Sequence, residues 1–272
     1  KSITLPSGDG TKGVRYQILD RAGLIASFLD TIVLDTVLPS GSVLINNNAT
    51  YTTSRNVTLT LTSSDATSGV DQVRFSTDGG STWTAWEAAT SSKSITLPSG
   101  DGTKEVRYQV RDKAGLIATF SDTITLDTVT PSGSILINND DPYTTTGDVT
   151  LTLTGSDDTS GVYQMRFSTD GGATFTDWEA FADTKFLTLP TGDGTQEVQY
   201  QLRDKAGLIS TFIDTIILDT TAPTGSVSIN DGATYTISPD ITLTLTSSDD
   251  TSGLDAMRFS TDGGETWTAW EA

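Results

Sequence analysis

Carboxylates are the chemistry this chain has to offer. Its 272 residues contain no histidine and no cysteine, which removes imidazole acid–base catalysis, thiolate nucleophiles, disulfides and His/Cys zinc sites. Against 16 basic residues stand 35 acidic ones, a formal net charge of −19, and that balance excludes nucleic acid and anionic membrane surfaces as partners. The aspartates recur at fixed spacing. Asp35 of Leu-Asp-Thr, Asp65 ahead of Thr-Ser-Gly and Asp112 of Asp-x-Ala-Gly form one set. Asp127, the Asp157-Asp158 pair and Asp204 form the next. If the fold gathers each set without basic partners, the carboxylates repel one another by a few kcal/mol, unless a hard cation with roughly 6–8 oxygen ligands sits among them. Calcium is the cofactor that such a site would take. Asx-turns that end strands explain the same residues without a metal.

What must position these groups is a repeat. Lys-x-x-Thr-Leu-Pro-x-Gly-Asp-Gly-Thr begins at Lys1, Lys93 and Lys185, a step of 92 residues with no insertion or deletion. Solenoid turns and propeller blades repeat at roughly 20–50 residues, so each copy is a small domain with its own core. Within a copy, Val149-Thr150-Leu151-Thr152-Leu153-Thr154 and Val106-Arg107-Tyr108-Gln109-Val110 alternate apolar with polar, the pattern of half-buried strands. Gly, Pro, Asp and Asn clusters separate such runs, and no stretch has helical periodicity. The spacing predicts seven antiparallel strands, at 41–46, 56–62, 70–76, 83–88, 93–97, 104–112 and 117–128. That is an all-β chain of tandem immunoglobulin-like sandwiches without helices. Complete repeats are expected at 39–130 and 131–222, with the last three strands of a repeat at 1–38 and the first four at 223–272. The two half-repeats are complementary, so either the sequence is a window on a longer array or one molecule completes the next head to tail.

Three further positions recur. Ser76-Thr77-Asp78-Gly79-Gly80-Ser81-Thr82-Trp83 fits Ser-x-Asp-x-Gly-x-Thr-Trp, and its counterparts carry Asp170 with Phe175 and Asp262 with Trp267. The motif resembles the Asp-box of sialidases and unrelated β-proteins. That resemblance implies a hairpin brace in which the Asp accepts turn amides and the aromatic plugs the sheet, away from any substrate. Asp followed by two glycines suits a tight turn on physical grounds as well. Trp86, Trp178 and Trp270 follow three residues later, and alternation places them on the opposite side of the 83–88 strand, where an exposed ring would stack on a sugar or cap a core edge. Arg74, Arg166 and Arg258 are expected to pair across the sheet with Glu87, Glu179 and Glu271.

Asp-x-Thr-Ser-Gly-Val, Val-x-Tyr-Gln-x-x-Asp-x-Ala-Gly and Leu-Asp-Thr-x-x-Pro together resemble the bacterial immunoglobulin-like repeats of large cell-surface adhesins and biofilm-associated proteins. The resemblance implies extended rods, in several members stiffened by calcium at the linkers. This chain departs from the family at Leu24, Leu116 and Leu208, where the family writes Asn, so the resemblance alone does not carry the neighbouring aspartates over as ligands. The expected function is a structural stalk, spacer or filament segment of a prokaryotic extracellular protein, whose partners are neighbouring copies of the same repeat. The alternative is a glycan-binding module using Trp86 and its counterparts. No enzyme is expected, since no repeat pairs a nucleophile with a base, and no apolar run is long enough to span a membrane.

Overall fold

Threonine alternating with Val, Leu or Ile can satisfy water on one face and a core on the other only in an extended chain. Residues 56–61 do this: Val57, Leu59 and Leu61 are buried while Asn56, Thr58 and Thr60 are exposed. A computed structural model describes residues 1–272. The chain is all β, apart from one three-residue 3-10 turn at Asn230–Gly232.

The chain divides into two compact bodies, one of residues 1–129 with 158–160 and 205–208, the other of the remainder. The first body contains β1 (Gly10–Leu19), β2 (Ile25–Leu34), β3 (Ser40–Ile45), β4 (Tyr51–Thr52), β5 (Asn56–Ser64), β6 (Val70–Ser76), β7 (Ser92–Thr96), β8 (Gly102–Asp112) and β9 (Ile117–Leu126). Strands β3-β5-β7 form one sheet and β4-β9-β8-β6 the other. Val43, Ile45, Val57, Leu59 and Leu61 of the first sheet meet Val73, Phe75, Val106, Tyr108 and Ile124 of the second in one core. At ~1.5–3 kcal/mol per fully buried large side chain, this packing holds the sheets together without a disulfide. Strands β1 and β2 form a two-stranded hairpin.

The second body repeats the plan with β10 (Ser132–Ile137), β11 (Tyr143–Thr144), β12 (Asp148–Ser156), β13 (Val162–Ser168), β14 (Glu179–Ala180), β15 (Thr184–Thr188), β16 (Gly194–Asp204) and β17 (Ile209–Leu218). Its sheets run β10-β12-β15 and β11-β17-β16-β13-β14. Strands β18 (Thr224–Ile229) and β19 (Leu243–Ser248) form a separate antiparallel pair.

Two elements differ from the sequence pattern. Residues 83–88 contribute a single bridge, Val73 with Glu87, in place of a full strand, and the equivalent segment of the second body is only the two-residue β14. The preceding turn spends its polar groups on itself, as described below, and leaves little backbone for a ladder. The seventh strand is instead β4, which pairs parallel with β9. It is set up by Asn46, Asn47 and Asn48, three successive residues at φ 47°, 57° and 67°, a left-handed run that asparagine tolerates better than other side chains. The Asn46 side chain accepts the Thr58 amide at 2.9 Å and Asn47 accepts the Thr60 hydroxyl at 2.9 Å, anchoring the corner on β5.

Replacing fully buried Leu59 by Ala is expected to cost ~2–5 kcal/mol. The adjacent outward change Thr58→Ala, at an exposed position, should stay within ~0.5 kcal/mol. Urea unfolding of the two variants checks the inward–outward assignment of β5.

Candidate metal centre

The linker tripeptide Leu34-Asp35-Thr36 makes contacts in two directions. The Thr36 amide and hydroxyl donate backward to Asp9 (3.1 and 2.8 Å) in the Gly-Asp-Gly loop. Asp35 reaches forward, and its Oδ2 accepts the Ser68 amide (3.1 Å) in the loop between β5 and β6, while its Oδ1 accepts the Val37 amide (3.2 Å). The same Thr-to-Asp tie joins Thr128 to Asp101 and Thr220 to Asp193. These Gly-Asp-Gly aspartates therefore brace the linker through Thr.

Asp65 sits at the start of the β5–β6 loop, where its Oδ1 accepts the amides of Thr67 (3.2 Å), Ser68 (2.9 Å) and Gly69 (2.7 Å). This is the Asx-turn arrangement, and it leaves the second oxygen outside these bonds. Asp112 ends β8. The Leu116 amide donates to its Oδ1 at 2.9 Å, closing the turn to β9, and the Lys113 amide donates to the Gly69 carbonyl at 3.0 Å, binding that turn to the loop of Asp65. Carboxylate oxygens of Asp35, Asp65 and Asp112 thus lie within 4.8 Å of one another. The ion pairs of this body, Lys93–Glu87, Arg107–Glu105 and Arg111–Asp71, involve none of the three.

Asp112 is 1% exposed, and its Oδ2 has no hydrogen-bond partner. A buried carboxylate oxygen without a donor is costly, and at 4.8 Å each pair of charges repels by on the order of 3 kcal/mol at an effective dielectric of ~20. Oxygen-only donors of this kind suit a hard divalent cation. Bonds from the Ser68 side chain, with the Val37 and Ser68 amides, hold Asp35 below the usual carboxylate range despite partial burial.

The second set of predicted residues is distributed as follows. Asp127 is fully buried and its carboxylate accepts the amides of Val129 (3.2 Å) and Ser160 (3.1 Å). Asp157, whose Oδ1 accepts the Gly161 amide at 2.6 Å, and buried Asp204 bring carboxylate oxygens within 4.8 Å of each other. Asp158 does not join them, because it is exposed at the position that alanine holds in the preceding copy, Ala66. In the last copy, Asp219 and Asp249 line a cavity of about 780 Å³ together with Tyr143, Thr144 and Asp255.

The hairpin aspartates act locally. Ser76 Oγ donates to Asp78 Oδ1 (2.7 Å), as does the Thr82 amide (2.9 Å), while Thr82 Oγ1 donates to Asp78 Oδ2 (2.5 Å). These bonds, the Thr82 hydroxyl foremost, hold Asp78 down to about 2. Asp170 is held at about 2 by Thr174 in the same way, and Asp262 is lowered by Thr266. The Trp83 indole N–H closes the turn on the Gly80 carbonyl at 3.0 Å.

The two aromatics of this segment do not take opposite sides. The Arg74 guanidinium lies 4.9 Å from the Trp83 ring and 4.4 Å from the Trp86 ring, and Arg111 lies 4.6 Å from Trp86. Arg166 similarly joins Phe175 to Trp178, which Arg203 also contacts, and Arg258 joins Trp267 to Trp270. Because residues 83–88 are not a regular strand, period-two alternation does not apply there. The arginines therefore do not pair with the glutamates, and Glu87 and Glu179 bond instead to Lys93 (2.9 Å) and Lys185 (2.8 Å). Trp86 and Trp178 are half-buried, and each ring lies within 4.4–4.6 Å of two arginine guanidinium groups.

Sequence reasoning missed Asp122 and Asp214. Each carboxylate accepts a β-strand amide, Ile45 and Ile137 respectively, at 2.7 Å. The signal available was an acidic residue recurring amid the alternating strand, which solvent exposure explained equally well.

No protein-family model matches the chain, and no curated protein matches it. Among solved structures it is similar to the fibronectin(III)-like modules of Clostridium thermocellum CbhA, at 16% identity and TM-score 0.40 over 65% of this chain and 92% of that one. It is also similar to a tetra-tandem repeat in the extending region of a large adhesion protein, at 17% identity and TM-score 0.30 over 90% and 72%. A 1.5-MDa bacterial ice-binding adhesin aligns at 14% identity and TM-score 0.34 over 78% and 74%.

Since Asp78 and Asp170 are held near 2 in the folded chain and ionise near ~4 when unfolded, their stabilising contribution is complete above about pH 4. It is lost as pH falls toward 2. The urea midpoint gap between wild type and Asp78→Asn is expected to be constant from pH 5 to 7 and to close on acidification, and a gap independent of pH would contradict the assignment.

Proposed function

We propose that this chain is a spacer segment of a prokaryotic extracellular surface protein, in which a divalent cation, calcium by its ligand chemistry, clamps the Asp35 linker to the sandwich that follows. The observation that carries the reading is the buried, unpartnered Asp112 Oδ2 beside Asp35 and Asp65. One of these carboxylates comes from the linker and two from the loops of the next domain. An ion bridging them would oppose bending at the linker, which the Thr36–Asp9 tie already restrains from the other side. Repeated small cores joined by short, proline-containing linkers suit a role in reach and stiffness. An acidic, cysteine-free surface rich in threonine and serine suits the cell exterior.

In chelator the three carboxylates destabilise the first body, so Asp112→Asn should raise its melting temperature by a few degrees. The Asn side chain keeps an oxygen for the Leu116 amide while removing one charge. Calcium at ~100 times its dissociation constant should stabilise the wild type by ~2.7 kcal/mol and leave Asp112→Asn nearly unmoved. Calorimetry with calcium, magnesium and chelator reads both effects. A wild-type melting temperature indifferent to calcium would end the cation reading.

A further inference from the structure

Phe186 is the most exposed aromatic side chain of the two complete sandwiches, at 81%. It stands on β15, an edge strand of the β10-β12-β15 sheet, on the face turned away from the core. Lys185 and Leu187 take the other face by alternation. Strand register surrounds the ring with polar groups. Thr150 lies opposite it on β12, Thr184 and Thr188 flank it along β15, and Asp148 faces Thr188. The matching strands of the first body pair Ser94 with Thr58 and Thr96 with Asn56. Phe186 and Asp148 therefore distinguish this face of the second body from its counterpart.

The ring borders a depression in the surface. A cavity of about 440 Å³ lies among Phe186, Thr150, Thr188 and Asp148. A second cavity, of about 350 Å³, shares Asp148 and Thr188 with the first and continues past Pro190 to Thr220. Volumes of this size fall in the range of ~300–1,000 Å³ that small-ligand sites occupy. No lysine or arginine lines either cavity. Lys185, next to Phe186 in the chain, is bonded to Glu179 at 2.8 Å.

We propose that this groove binds a neutral polysaccharide, with one sugar ring stacked on Phe186 and the adjoining sugars bonded to Asp148 and the threonine hydroxyls. A pyranose has an apolar face of C–H bonds and a rim of hydroxyls. The open phenyl ring matches the first. Threonine hydroxyls, which donate and accept, and a carboxylate, which accepts through two oxygens, match the second. Asp148 Oδ1 takes the Thr188 hydroxyl at 2.8 Å, which orients the carboxylate and leaves it further acceptor capacity for ligand hydroxyls.

Charge decides against acidic glycans. A carboxylate in a groove without a cation, on a chain of net charge −19, repels them. A protein partner, a second copy of this chain included, would anchor on several adjoining apolar side chains. The neighbours of Phe186 on its own face are instead threonines and an aspartate.

Affinity electrophoresis of the full chain tests this, because the acidic chain migrates readily and a polysaccharide set in the native gel retards whatever binds it. The neutral probes are laminarin, hydroxyethyl cellulose, dextran and mannan, and alginate is the acidic one. At least one neutral polymer is expected to retard wild type, with half-saturation at millimolar sugar, and alginate is expected not to. Phe186→Ser and Asp148→Asn install the residues of the first body, where Asn56 still accepts the Thr96 hydroxyl at 2.9 Å, so both variants should keep the wild-type melting temperature. Phe186→Ser should weaken retardation at least ~10-fold and Asp148→Asn about 3-fold. Wild type that no neutral polymer retards overturns the proposal, as does retardation that Phe186→Ser leaves unchanged or that alginate matches. Sedimentation adds a second readout: self-association of wild type that Phe186→Ser abolishes makes the ring a contact between copies and also overturns the proposal.

Discussion

Three carboxylates within 4.8 Å of one another, one of them sealed from water, set the constraint around which the linker region is built. Backbone amides meet part of it: the Val37 and Ser68 amides on Asp35, the Thr67, Ser68 and Gly69 amides on Asp65, and the Leu116 amide on Asp112. Each of those amides belongs to a turn whose shape is set by the bond it makes. The linker, the β5–β6 loop and the β8–β9 corner are therefore folded by the same negative charges that they surround. What the amides do not meet is the second oxygen of Asp112, and that unmatched charge sets the cluster apart from a group of ordinary Asx-turns.

The tripeptide Leu-Asp-Thr shows how little sequence is needed to splice domains. Leu34 closes β2, Asp35 bonds to the following sandwich and Thr36 bonds to the preceding loop. With three consecutive residues committed in different directions, the linker has few backbone torsions left free. The Arg–Trp stacks serve a different end. They pack the long side chains of β6 and β8 over the irregular 83–88 segment, which has almost no ladder of its own, so cation–π and indole–carbonyl contacts take the place of strand pairing there.

Much of the molecule was legible in the chain. Strict alternation in β5, β8 and their counterparts identified strands and their inward faces, because side-chain direction in an extended chain is a local property. Sandwich topology put Asp35, Asp65 and Asp112 in one set, since the loops that follow the second and sixth expected strands return to the end where the linker enters, and the 92-residue step repeats the set. The seventh strand escaped notice because two residues, Tyr51 and Thr52, carry no period. Residues 83–88 misled because their aromatic side chains are held by arginines and a turn rather than by a strand, so the period-two rule that placed Trp83 and Trp86 on opposite sides did not apply.

The sequence by itself determined the fold class, the repeat length, the absence of thiol and imidazole chemistry, and the residues able to form a carboxylate cluster. All of these follow from composition and short-range periodicity. Tertiary structure alone decided that Asp112 Oδ2 is buried without a donor, that Asp158 stays outside, that Arg74 contacts both indoles, and that β4 runs parallel to β9. Those outcomes depend on segments up to about a full repeat apart meeting in space, and the free energy of such contacts is set by what surrounds each group, which no local pattern records.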